Sequence, residues 1–255
     1  MSAPPSLLLA ARTIMQFPRN PILLGFSLAP VLMMFLVFGA LFDGVTHLPG
    51  FPTDNYFEYL APTAILLTTV PGIGNAAVAL AEDFGNGYVY KLLTAPISIG
   101  SVVLGRLIGD SVRLCVQAVL VLGLAIALGA HVETGVPGAA LMILLGALLG
   151  VVTFGVLAAN LALRTKNAAS VQAILPMAYL LIFLTSAYQE PAQIGSPVMR
   201  AVVEANPAEH VLRPMRELML SGYDWPHLGI ALAVILGLGL IGIPLTVRNY
   251  RSVYH

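Results

Sequence analysis

Polar side chains in this sequence are gathered into short gaps between long apolar runs. Six uncharged or nearly uncharged stretches can be marked, at residues 22–42, 59–81, 114–130, 138–163, 168–188 and 228–247. Most are long enough to cross a hydrocarbon layer of about 30 Å as a helix rising about 1.5 Å per residue. The third continues upstream without a proline, so its helix is expected over 99–130. Pro30 should kink the first span rather than end it, since neighbouring helices can satisfy a freed carbonyl. Pro62, Pro71, Gly72, Gly74 and Asn75 predict a bend or local unwinding in the middle of the second.

The basic residues sort between alternate gaps. Arg12 and Arg19 precede the first stretch, and Lys91, Arg106 and Arg113 separate the second from the third run. Arg164 and Lys166 separate the fourth from the fifth, and Arg248 and Arg251 follow the sixth. The gaps after the first and third stretches hold no Lys or Arg. This is the positive-inside pattern. It predicts an all-α membrane protein, one transmembrane domain over 1–255, with six spans and both termini in the cytoplasm. Of the acids, only Glu82, Asp83 and Asp110 fall on the inner side.

Other segments add detail. Residues 5–17 read as a helix on the inner membrane surface, with Arg12, Thr13 and Gln16 on its polar side. Arg106, Asp110 and Arg113 share one face of the third helix, a spacing that permits surface ion pairs at headgroup level. Gly146 and Gly150 form a small-xxx-small seam, with Gly155 beyond it. The spacing does not say whether that seam is internal or between subunits. The last outer loop, 189–225, is the only long one. Asn206-Pro207-Ala208-Glu209 reads as a helix start with a capping box. Val211, Leu212, Met215, Leu218 and Met219 then recur at helical spacing until Ser221-Gly222, with a kink expected at Pro214. This is an amphipathic helix that lies on, or re-enters, the outer face.

Composition narrows the classes. The chain is 58 % hydrophobic and 9 % charged, with a mean hydropathy of +0.89. Soluble domains carry about 25 % charged residues. No basic run exists, which speaks against a nucleic-acid partner. Ten arginines against two lysines, with abundant Ala, Gly, Val and Leu, fit a GC-rich bacterial genome and hence a bacterial plasma membrane. Cys115 is alone and reads as a small packing residue. The five histidines are scattered without ligand spacing, so no metal site is expected.

The inner loop 82–98 carries the most specific motif. Glu82 and Asp83 come first, glycines at 85 and 87 allow a sharp exit, and Lys91-Leu92-Leu93 precedes Pro96. A short helix of this kind can dock its apolar side into a groove of a soluble partner. The segment resembles the coupling-helix region of ABC type-2 permeases, the daunorubicin-resistance-like exporters in particular. Gly87, Lys91, Leu92, Leu93 and Pro96 stand in that family's register, and Gly105-Arg106 resembles the pair that follows it. Asn206, Pro207 and Arg216 resemble its outer-loop motif. Tyr90 departs from the pattern, occupying a seat where members often carry an acid.

The resemblance implies a cytoplasmic coupling helix and a second permease subunit, identical or not. It also implies two copies of a separate ABC ATPase subunit, which would bind the ATP and Mg. This chain itself would need no cofactor and would export a hydrophobic drug or lipid-like molecule, as in antibiotic resistance. No GxxxxGK[ST], HExxH, GxSxG or cysteine cluster is present, so no enzymatic site is expected in the chain. Gly72-Ile73-Gly74-Asn75-Ala76-Ala77 mimics a dinucleotide fingerprint but lacks the βαβ context and the later acid. The alternative class is an ion-coupled secondary transporter, which usually needs an ionisable group at mid-membrane. The polar residues expected there are neutral: Thr68, Thr69, Asn75, Gln117, Thr153, Thr185 and Ser186. All of these but Gln117 are candidates for the translocation path.

Overall fold

The computed structural model describes residues 11, 21–47, 49–86, 99–188 and 194–252, which form helices joined by turns, with no strand among them. Helix α1 spans Pro21–Leu41 and is followed by a 3-10 turn at Asp43–His47. Helices α2, Tyr56–Gly85, and α3, Ile99–Ala127, come next. Helix α4, Gly135–Gly150, passes through a π turn at Val151–Gly155 into α5, Val156–Thr165. Then come α6, Ala168–Phe183, α7, Pro197–Ala205, α8, Pro207–Leu220, and α9, Trp225–Ser252. Among the described residues, three stretches are long and apolar enough to cross a membrane: Ser101–Ala127, Gly135–Thr165 and Trp225–Tyr250. Leu28–Leu41 and Ala168–Phe183 are shorter apolar helices.

Helix α2 is the central stave, packed by α1, α3, α4, α5, α6 and α8. The cause is compositional. A helix that is apolar or hydroxyl-bearing on every side has no face to give to water, and every residue from Tyr59 to Val70 is buried. Thr68 and Thr69 donate to the carbonyls of Ile65 and Leu66 at 2.7 and 2.6 Å, so their hydroxyls need no outside partner. The peripheral helices keep apolar rows on the outside. Leu104, Ile108, Val112 and Val116 are exposed along α3, and Leu232, Leu236 and Leu240 along α9. Those rows suit lipid as their solvent.

The small-residue seam is internal. A Cβ at Gly146 would sit 2.9 Å from Ile65 Cγ2, and one at Gly150 would sit 2.7 Å from Thr69 and 2.9 Å from Leu114. A Cβ at Gly242 would meet Val156 at 2.7 Å. These glycines let α4 approach α2 and α3, and let α9 approach α5.

Several expectations need correction. Helix α2 runs unbroken through Pro62 and Pro71, with no unwound middle, because neighbours enclose it on every side. Helix α1 continues through Pro30, as expected of a proline that does not end its span, and α8 continues through Pro214. The third helix stops at Ala127 and the last extends beyond 228–247 at both ends. The fifth ends at Phe183 rather than Tyr188, and residues 184–188 are non-helical. The Arg106–Asp110–Arg113 face does not lie at the surface. Asp110 is only 4 % exposed, because α3 turns this face toward α2, the π turn and α9. There it pairs with Arg113 at 3.3 Å. It shares a cavity of about 20 Å³ with Arg106, Thr246 and Tyr250. Helix α7, capped by Ser196, precedes α8 and was not foreseen. The 5–17 helix lies almost wholly outside the described residues.

Candidate functional site

Helix α8 is amphipathic as its spacing predicts, and its apolar side is driven into the bundle. Val211, Leu212, Met215, Leu218 and Met219 are all buried against α2, α4 and α9. Asn206 starts the helix: its Oδ1 accepts from the Ala208 N–H at 2.9 Å, and Pro207 takes the first position. The reciprocal half of the capping box does not form. The Asn206 N–H is already spent on Val203 O at the end of α7, which leaves the Glu209 carboxylate free for another partner. At the far end, Gly222 takes φ +122° and donates to Glu217 O, closing the helix.

That other partner is the non-helical end of α6. Glu209 accepts from the Ser186 N–H and from its Oγ, both at 2.7 Å. Arg216, 7 % exposed, donates to Ser186 Oγ at 2.9 Å and to Ser186 O at 2.8 Å. Ser186 thus relays a buried cation to a buried anion. The guanidinium also lies 3.9 Å from the centre of the Tyr59 ring, a cation–π contact. Asn206 Nδ2 donates to the carbonyls of Leu181 and Leu184, which α6 leaves open where it ends. From α2, Tyr56, Tyr59 and Thr63 donate to the carbonyls of Tyr188, Ser186 and Ala187. Every link serves the same need. A backbone that leaves its helix inside a bundle must be satisfied by side chains.

The second feature is a groove of about 550 Å³ between α2, α5, α6 and α9. Its walls are apolar, among them Val70, Phe154, Leu157, Leu161, Met177, Leu181 and Leu245. Among the described lining residues, polar groups stand at Asn160, Arg164 and Asn249. Asn160 donates to Thr246 Oγ1 at 3.0 Å and accepts from Asn249 Nδ2, a ladder that ties α5 to α9.

The structure distributes the sequence-predicted residues over three places. Asn206, Pro207 and Arg216 meet Ser186 in the buried knot. Thr185 sits beside it, bonded to Ile182 O at 2.6 Å. Thr68 and Thr69 are buried within α2, and Asn75 lies in its later turns. Thr153 lies in the π turn, and its hydroxyl has no partner among the described residues. Among the described side chains, none of Thr68, Thr69, Thr153, Thr185 and Ser186 lines the groove. Glu82 is exposed in the last turn of α2, and Asp83 follows in the same helix. Gly87, Lys91, Leu92, Leu93 and Pro96 lie outside the described residues. Sequence reasoning missed Tyr56, Tyr59, Thr63 and the tertiary role of Glu209. The first three recur at i, i+3 and i+7, a spacing that puts three hydroxyls on one helix face and could have exposed them.

Long apolar helices around a buried polar knot define a polytopic membrane protein. The chain belongs to the ABC-2 type transporter family, whose match runs over residues 6–220. Members of this family are membrane subunits of transporters. Among curated relatives, it is 26 % identical to the daunorubicin resistance ABC transporter permease protein DrrB1 of Streptomyces coeruleorubidus. That alignment covers 94 % of this chain and 84 % of the relative. It is also 22 % identical to the putative transport permease ycf38 of Cyanophora paradoxa, over 96 % of this chain and 89 % of that protein.

Proposed function

We propose that this chain is the permease subunit of an ATP-driven exporter that moves a hydrophobic drug or lipid-like molecule out of the cell. Two permease subunits pair with two copies of a separate ABC ATPase. ATP binding closes the ATPase pair, and the 82–98 loop carries that motion into the spans. The chain crosses the membrane six times with both ends in the cytoplasm, in keeping with the alternation of its basic gaps. The groove of about 550 Å³ carries the cargo class: its described lining is mostly aliphatic and aromatic, with polar groups at three of the described lining positions. Such a surface holds apolar molecules by excluding water rather than by pairing charges.

Coupling to a proton gradient is the competing energy source, and Asp110 is the acid within a span that it would use. That carboxylate is paired with Arg113 at 3.3 Å. Reconstitution separates the two. In liposomes with the cognate ATPase and ATP, a hydrophobic dye should accumulate, vanadate should block it, and an uncoupler should leave it intact. Uphill movement by the chain alone under a pH gradient would overturn the proposal.

A further inference from the structure

The turn between α8 and α9 gathers three side chains with metal-ligating atoms. Glu217 comes from the last turn of α8, Asp224 from the connection and His227 from the first turn of α9. One donor atom from each lies within 4.8 Å of the other two. His227 Nδ1 stands 2.8 Å from Asp224 Oδ2 and 3.3 Å from Glu217 Oε1. Asp224 is fixed in place because its Oδ1 caps α9, accepting from the His227 N–H at 3.1 Å. Glu217 gives Oε1 to Arg213 at 3.3 Å as well. Its other oxygen, Oε2, is shut off from solvent and has no hydrogen-bond partner among the described residues. A buried carboxylate oxygen without a bonded partner is costly, and a cation bound by this carboxylate would offset that cost.

We infer that Glu217, Asp224 and His227 form a site for one divalent cation of the zinc type, joining the end of α8 to the start of α9. Sequence spacing hid the set because its members stand on two helices and the turn between them. One imidazole nitrogen and two carboxylate oxygens suit the borderline Zn²⁺ ion, with a fourth position left for water. Ca²⁺ takes six or more oxygens and Mg²⁺ a full octahedron, so three ligands of this kind do not favour either. Arg213 is exposed on its side of Glu217 and can swing away as the cation enters.

The test uses the full chain in detergent, purified without a polyhistidine tag and stripped by a chelator. Titration with Zn²⁺ should reach one ion per chain, and Co²⁺ should give the visible absorption of a low-coordinate site. His227→Ala and Asp224→Asn should each weaken Zn²⁺ binding by more than the about hundredfold that loss of an outer-shell partner can cost. Asn caps a helix as well as Asp does, so loss in Asp224→Asn reports a lost ligand rather than an unravelled α9. It also keeps the test open if His227→Ala fails to fold. No binding at micromolar Zn²⁺, or binding undiminished in Asp224→Asn, overturns the site. Equal competition by Ca²⁺ overturns its assignment to zinc.

Discussion

Ser186 is a small residue with a large electrostatic burden. Its hydroxyl stands between the Arg216 guanidinium and the Glu209 carboxylate, and both charges are buried. Taking away one member leaves the other charged, desolvated and unpaired, a loss of about 3–5 kcal/mol. Glu209→Ala and Arg216→Ala should therefore each lower the thermal unfolding temperature of the detergent-solubilised chain far more than Arg213→Ala, at an exposed site. The double variant should lose less than the sum of the two, because the pair is coupled through one atom. Strict additivity would show that the two charges do not depend on each other. Asn206, Pro207 and Arg216 stood out in the sequence as a motif. Their common partner did not, because Ser186 lies 23 residues from Glu209 and 30 from Arg216. Nothing in a hydroxyl's neighbours says which distant charge it will bridge.

At the scale of the helix, the glycines of α4 act as spacers. Gly150→Ala places a Cβ 2.7 Å from Thr69 and 2.9 Å from Leu114, and both of those neighbours are buried. Overpacking of this kind costs about 1–3 kcal/mol. Gly237→Ala has open space around its Cβ and should be neutral or mildly stabilising. Comparing unfolding temperatures of the two variants checks the seam, and equal effects would place α4 further from its neighbours. Helix positions were mostly legible in the sequence. The Asn206-Pro207 start and Ser221-Gly222 stop of α8 follow from capping chemistry, and the apolar runs located α1 and α9. The end of α6 was not legible, since residues 184–188 contain no glycine, proline or charge to interrupt the run. Tertiary hydrogen bonds from α2 and α8 end that helix instead. The π turn at Val151–Gly155 was likewise not read from the sequence, since its β-branched residues and its glycine are also common in regular membrane helices. Asp110 was misplaced for a related reason. Spacing shows which residues share a helix face, but only packing shows where that face points.

For the whole molecule, the alternation of basic gaps makes a sharp statement about sidedness. Single cysteines at Asp54 and Glu133, both exposed, should react with a membrane-impermeant thiol reagent on intact cells, in a Cys115→Ala background. One at Asn86, also exposed, should react only after permeabilisation. Neither of the outer pair removes a Lys or Arg, so the signals that orient the chain stay in place. Labelling in the opposite sense would invert the topology and move the 82–98 loop away from any cytoplasmic ATPase.

The early stop of α6 reaches beyond the protein into the bilayer. Sixteen helical residues at about 1.5 Å each span about 24 Å, less than the about 30 Å thickness of a typical hydrocarbon core. The remaining depth is filled by a polar chain end that only the bundle side can satisfy. On the proposed six-span topology the protein is therefore too short for its membrane on its outward side, and lipids there must compress to meet it. Thinning of that sort brings headgroups of the two leaflets nearer along one flank, beside the α6 wall of the groove. Transport measured across phosphatidylcholines of increasing acyl length should then peak in the thinner bilayers and fall as the membrane thickens. A rate indifferent to chain length would mean that the lipid absorbs the mismatch without passing it to the groove.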